Sequence, residues 1–127
     1  MTKRRDQSGP RILLVEDHFL LALHMGEHLK LDGCRLVGPA YNLEQALDLV
    51  RGTPVDVALI DVNLGESTSY PVAEALIEKG IPFAFLSGHS KQDLEPRYRS
   101  HMLIAKPVHP DALSKAVREL VGQIPSR

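Results

Sequence analysis

The run Val55-Asp56-Val57-Ala58-Leu59-Ile60-Asp61 constrains this chain more than any other stretch, because it is almost wholly apolar, rich in β-branched residues, and stops at a carboxylate. Gly52 and Pro54 punctuate its entry, so it reads as a short strand buried on both faces. Two-sided burial belongs to parallel sheets covered by helices, and in open sheets of that kind ligands sit beyond the carboxyl ends of the strands. Asp61 is therefore the expected centre of any chemistry the chain performs.

The remaining segments supply partners for such a sheet. Arg11–Val15 is a second strand-length run, and the helical pattern from about Phe19 to Lys30 ends at the stop signal Asp32-Gly33. Cys34–Val37 makes another strand. Asn42 then caps a helix with Leu43, Ala46, Leu47 and Val50 on one face, and Gln45 completes a capping-box pattern. After a loop from Val62 to Tyr70, Pro71 suits the first turn of a helix carrying Val72, Ala75 and Leu76, with Gly80 placed to close it. Strands at Pro82–Leu86 and Met102–Ala105 follow. The last helix opens at Pro110 and shows Leu113, Ala116, Val117, Leu120 and Val121 at helical spacing. This alternation predicts a doubly wound α/β fold, a five-stranded parallel sheet with helices on both faces. Between the last two strands, Lys91 to Ser100 offers only Leu94 and Tyr98 as large apolar residues and contains Pro96. So thin a stripe, broken by a proline, predicts a segment of marginal order.

Composition narrows the function classes. The chain has 127 residues, one domain's worth, with 15 Lys plus Arg against 16 Asp plus Glu and no long like-charge run. That balance gives no electrostatic footprint for direct DNA binding or for a membrane. Cys34 is the only cysteine, which excludes an internal disulfide, fits a reducing compartment and reads as a small buried hydrophobe. Residues 1–10 carry Lys3, Arg4 and Arg5 like the start of a signal peptide, but the apolar run after them is only strand-length. The expectation is a cytoplasmic protein with a flexible tail over residues 1–10 and one domain over 11–124. Tyr41, Tyr70 and Tyr98 are too scattered for a base-stacking platform, and no glycine-rich phosphate cradle occurs. His24 and His28 stand one helical turn apart, yet no third metal ligand accompanies them.

Four strand ends carry polar groups: Glu16 and Asp17, Asp61, Ser87, and Lys106. Taken singly, each has an ordinary explanation, as charge near a helix start, a loop cap, a turn residue or a solvated cation. Together they fall at one rim of one sheet. Three carboxylates gathered there repel one another unless a divalent cation joins them, and an all-oxygen set suits Mg²⁺. A carboxylate beside Mg²⁺, a hydroxyl and an ammonium is equipped to attack a phosphoryl group, with Lys106 and the metal neutralising its oxygens and Ser87 hydrogen-bonding one of them.

Leu14-Val15-Glu16-Asp17, Leu59-Ile60-Asp61, Leu86-Ser87-Gly88 and Ala105-Lys106-Pro107 together resemble the motifs of response-regulator receiver domains of two-component signalling, from Arg11 onward. The resemblance implies a flavodoxin-like (βα)5 sheet of strand order 2-1-3-4-5. It implies that Asp61 takes a phosphoryl group from a sensor histidine kinase, with Ser87 and Lys106 assisting. Mg²⁺ would be held by Glu16, Asp17, Asp61 and the backbone carbonyl of Asn63. Gly80-Ile-Pro-Phe-Ala-Phe-Leu-Ser-Gly-His89 is also similar to stand-alone alphaproteobacterial receivers whose fourth strand reads Pro-Phe-x-Phe-Ala-Thr-Gly-Tyr, with Leu86, Ser87 and His89 replacing Ala, Thr and Tyr. Leu103 stands where most receivers carry an aromatic switch residue.

Little sequence follows the last helix, so the expected output is an unknown downstream protein, reached by direct signalling, phosphorelay transfer or a phosphate-sink role. The competing reading is a small aspartyl-phosphate phosphohydrolase. Dehalogenase-like phosphatases, however, place the nucleophilic Asp after the first strand with another Asp two residues on, whereas Asn63 sits two after Asp61 here. An unphosphorylated adaptor is a third reading, which the complete acid, hydroxyl and lysine set opposes. On the receiver reading the chain is no enzyme beyond catalysing its own phosphorylation and dephosphorylation.

Overall fold

The computed structural model describes residues 9–125. Five parallel strands, β1 (Arg11–Val15), β2 (Arg35–Ala40), β3 (Val57–Asp61), β4 (Phe83–Ser87) and β5 (Met102–Ala105), form one sheet in the order β2-β1-β3-β4-β5. This is the doubly wound flavodoxin-like architecture, with β3 at its centre and every residue of Val57–Asp61 buried. Successive side chains alternate faces. Leu13, Ala58, Ile60, Phe83 and Phe85 pack on one side, and Ile12, Leu14, Val57, Leu59 and Leu86 on the other.

Four α-helices cover the faces: α1 (Phe19–Leu31) and α4 (Pro110–Gly122) on one, α2 (Leu43–Gly52) and α3 (Tyr70–Lys79) on the other. Their ends follow local chemistry. Asn42 Oδ1 accepts the Gln45 N–H at 2.8 Å, while the Gln45 side chain reaches one residue further back than a capping box requires and accepts from Tyr41 N–H. Gly80 closes α3 in the left-handed region, with φ of 71°. His28 Nε2 lies 2.9 Å from Ser114 Oγ, which donates to Asp32 Oδ2, so this histidine ties α1 to α4. Among the described residues, His24 and His28 join no group that could hold a metal. Cys34 is buried, and burial pushes its thiol up.

Three features differ from expectation. β2 runs through Gly38-Pro39 to Ala40 rather than stopping at Val37, because an edge strand tolerates a proline where a central one does not. The β3–α3 loop contains a small antiparallel hairpin, Asn63–Leu64 against Ser67–Thr68.

The third difference lies in the fourth connection, which carries two 3₁₀ turns, Lys91–Asp93 and Pro96–Tyr98, instead of an α-helix. Pro96 opens the second of these turns, where its missing N–H has no intrahelical partner to lose, and the segment is more firmly built than its thin stripe implied. Leu94 is buried, Tyr98 is only 1% exposed, and Tyr98 stacks on Tyr70 with ring centroids 4.5 Å apart. Two of the tyrosines that looked scattered therefore meet. Phe85 meets both edge-on, and His101 stacks on Phe83 in the same aromatic group. The expected tail lies outside the described residues for positions 1–8. At Gly9 and Pro10 both backbone carbonyls accept from Arg35.

No helix among the described residues is long and apolar enough to cross a membrane.

Candidate functional site

β1 delivers Glu16 and Asp17 to the carboxyl rim of the sheet, and the two carboxylates diverge. Glu16 is fully buried. Its Oε2 accepts the His18 N–H at 3.1 Å, and its Oε1 lies 2.9 Å from Lys106 Nζ. Asp17 is exposed, and its Oδ2 accepts the Gly65 N–H at 2.9 Å. His18 caps α1 through its ring, with Nδ1 accepting from Leu21 N–H, so helix entry and acidic pair are one local unit.

β3 ends in Asp61, which is 6% exposed. Lys106, at the end of β5, donates to Asp61 Oδ2 at 2.7 Å, and Asn63 N–H donates to Asp61 Oδ1 at 3.2 Å. Ser87, at the end of β4, is buried and its Oγ accepts the His89 N–H at 2.9 Å. With that lone pair engaged, the hydroxyl proton is free to be donated to an incoming oxygen. The Lys106 N–H donates to the Ser87 carbonyl, which locks the two strand ends in register.

Electrostatically the rim is unbalanced. Glu16, Asp17 and Asp61 bring ligand oxygens within 4.8 Å of one another, against a single ammonium, Lys106. Burial pushes the Glu16 carboxyl up, opposed by Lys106 and the His18 N–H. Burial alone would pull the Lys106 ammonium down, but its hydrogen bonds to Asp61 and Glu16 outweigh that and leave it above the ordinary lysine value. Glu16 Oε1, although close to Lys106, is buried without a well-aligned hydrogen bond. A buried carboxylate oxygen met only by a shared and poorly aligned ammonium, in an all-carboxylate group carrying two negative charges in excess of its lysine, fits a hard divalent cation. Glu16, Asp17 and Asp61 are the residues that could hold it.

The structure thus brings Glu16, Asp17, Asp61 and Lys106 into one connected group, with Ser87 on the neighbouring strand end and Asn63 fastened to Asp61 through its N–H. Sequence reasoning missed Gly65 as the donor to Asp17. The signal available was Gly65-Glu66 between two short extended pairs, a hairpin pattern too brief to register as strands.

A carboxylate at the end of the central strand, bonded to a lysine and flanked by an acidic pair, defines an acidic, lysine-bearing rim on a doubly wound sheet. The model of the response regulator receiver domain family matches residues 12–118, and the chain belongs to that family. It is similar to the solution structure of SdrG from Sphingomonas melonis Fr1, with 36% identity and a TM-score of 0.78 over 89% of this chain and 97% of that one. The BeF3-activated conformation of SdrG from Pseudomonas melonis Fr1 is likewise 36% identical, with a TM-score of 0.76 over 90% and 98% of the two chains. Among curated proteins it is 28% identical over 118 residues to the transcriptional regulatory protein PdtaR of Mycobacterium tuberculosis. That match covers 91% of this chain but only 58% of PdtaR.

Proposed function

We propose that the chain accepts a phosphoryl group on Asp61 from the phosphohistidine of a sensor kinase, in a Mg²⁺-dependent reaction, and signals through contact with another protein. The observation that carries this is the Asp61 carboxylate held by Lys106 Nζ at 2.7 Å within the acidic group. An Asp61 oxygen attacks phosphorus, and the bond from phosphorus to the donor's imidazole nitrogen breaks, its electron pair staying on the ring. Lys106 pairs with a phosphoryl oxygen as charge moves onto it. The Ser87 hydroxyl donates to another. Glu16 and Asp17, with Asp61 and the Asn63 carbonyl, would hold Mg²⁺, which when bound neutralises phosphoryl charge and orients the acceptor.

The chain is no enzyme toward other substrates: it catalyses its own phosphorylation and the hydrolysis that ends it. The similarity to SdrG supports the receiver reading, and the BeF3-activated conformation of that relative supports beryllofluoride as a phosphoryl mimic here. Downstream output as direct signal, relay or sink rests on the partner protein. Incubation with acetyl phosphate and Mg²⁺, followed by intact mass, is the test. One added phosphoryl group, lost in Asp61→Asn and in excess chelator, supports the reading, and an unchanged mass in the wild-type protein contradicts it.

A further inference from the structure

Apart from the Asn63 carbonyl, the β3–α3 hairpin has no part in the function proposed so far, yet its turn reaches across the rim to Asp17 after β1. Gly65 has φ of 67°, and no non-glycine residue among those described has positive φ, so the turn has its left-handed residue first and Glu66 second. That sign pattern is the II′ hairpin turn, which favours glycine at the first position. Backbone conformation rather than space demands it, since a Cβ at Gly65 would meet nothing within 4 Å. The hairpin is fixed at its base, where Ser69 N–H donates to the Val62 carbonyl at 2.8 Å and Val62 N–H to the Leu86 carbonyl at 3.1 Å. The turn then aims one backbone donor at one carboxylate oxygen, Gly65 N–H to Asp17 Oδ2 at 2.9 Å, across 48 residues of sequence.

Asp17 needs such help more than its neighbour does. Glu16 is immobilised by burial, Lys106 and the His18 N–H, whereas Asp17 is exposed and Gly65 is its sole hydrogen-bond donor among the described residues. We infer that the hairpin is a positioning element for the metal site: Gly65 N–H holds Asp17 by Oδ2 so that Oδ1 is presented to the cation. This rests on the Mg²⁺ reading above. Hydrogen bonds to ligating carboxylates fix ligand orientation, and their loss commonly weakens metal binding roughly ten- to a hundredfold. A proline at position 65 has no N–H to give and cannot adopt positive φ. Asparagine keeps the N–H and is among the residues that primed turns accept at a positive φ.

Two measurements test it. Amide exchange at Gly65 in the metal-free protein should quicken roughly tenfold or more in Asp17→Ala, as expected when a charge-assisted acceptor is removed. Unchanged exchange there overturns the inference whether or not any variant at position 65 folds. Calorimetric Mg²⁺ titration should then show Gly65→Asn close to wild type and Gly65→Pro roughly ten- to a hundredfold weaker. Equal affinity in wild type and Gly65→Pro, with the melting temperature retained, overturns it as well. A wild-type protein that binds no Mg²⁺ overturns the metal reading itself, a result distinct from either of those.

Discussion

Lys106 Nζ stands 2.7 Å from Asp61 Oδ2 and is the sole side-chain cation paired with that carboxylate among the described residues. The same ammonium is 2.9 Å from buried Glu16. One cation therefore serves two carboxylates on two other strands, and its removal leaves like charges facing each other in a site of low exposure. Lys106→Met should cost about 1–3 kcal/mol, less than the loss from a fully buried pair because the lysine side chain is 23% exposed. Added Mg²⁺ should restore part of the lost melting temperature by replacing the missing positive charge. A thermal melt with and without Mg²⁺ checks both, and a variant as stable as wild type in chelator would contradict the assignment.

Ser87 offers a hydroxyl whose acceptor side is already engaged by His89 N–H. Ser87→Ala should slow phosphoryl uptake from acetyl phosphate roughly a hundredfold, the lower end of the range for losing one donor to a developing charge. Ser87→Thr keeps the donor and should remain near wild type. Stopped-time intact mass on the three proteins separates the outcomes, and equal rates for all of them would remove Ser87 from the mechanism.

Tyr98 donates to Glu74 at 2.5 Å beneath the Tyr70 ring, and burial together with the Glu74 carboxylate pushes its phenol up to about 12. In a spectrophotometric pH titration Tyr98→Phe should remove a tyrosine step at about 12. Tyr98→Ala should cost about 3–5 kcal/mol, as for other large aromatic deletions from a core. Amide exchange over 89–100 is then expected to be protected at Tyr98 in the resting protein. Fast exchange there would restore the weakly ordered segment inferred from sequence.

At the opposite end of the sheet, Asp56 accepts from Arg11 N–H at 2.7 Å and from the Arg11 side chain at 3.1 and 3.2 Å. The Arg11 hydrogen bond holds the Asp56 carboxyl below its ordinary 3.8, outweighing burial. A carboxyl depressed in the folded state contributes stability above its unfolded value and loses it as pH falls through the folded one. Asp56→Asn should therefore be less stable than wild type at pH 7, and the gap should narrow in acid as the pH falls through the lowered folded-state value. Urea unfolding at pH 7 and in acid checks the sign, and a gap that widens in acid would reverse it.

The order of strands and helices was legible because each strand carries a local signature: an apolar run for β3, turn residues at its ends, and helical spacing on either side. The rim was legible for the same reason, since Glu16, Asp61, Ser87 and Lys106 all end apolar runs. What escaped depends on contacts remote in sequence or on elements too short to show a period. The Tyr70–Tyr98 stack joins residues from two connections, and two-residue strands cannot alternate long enough to be seen. Local periodicity counts the apolar residues of Lys91–Ser100 but not the aromatic surface waiting to receive them.

Borohydride reduction of the phosphorylated protein, followed by peptide mapping, addresses the central claim most directly, because it converts an aspartyl phosphate to homoserine and marks the acceptor residue. The account predicts homoserine at position 61 alone, formed only after incubation with phosphodonor and Mg²⁺. Homoserine at position 17, or a stable phosphoryl group on a histidine with position 61 unmodified, would contradict it.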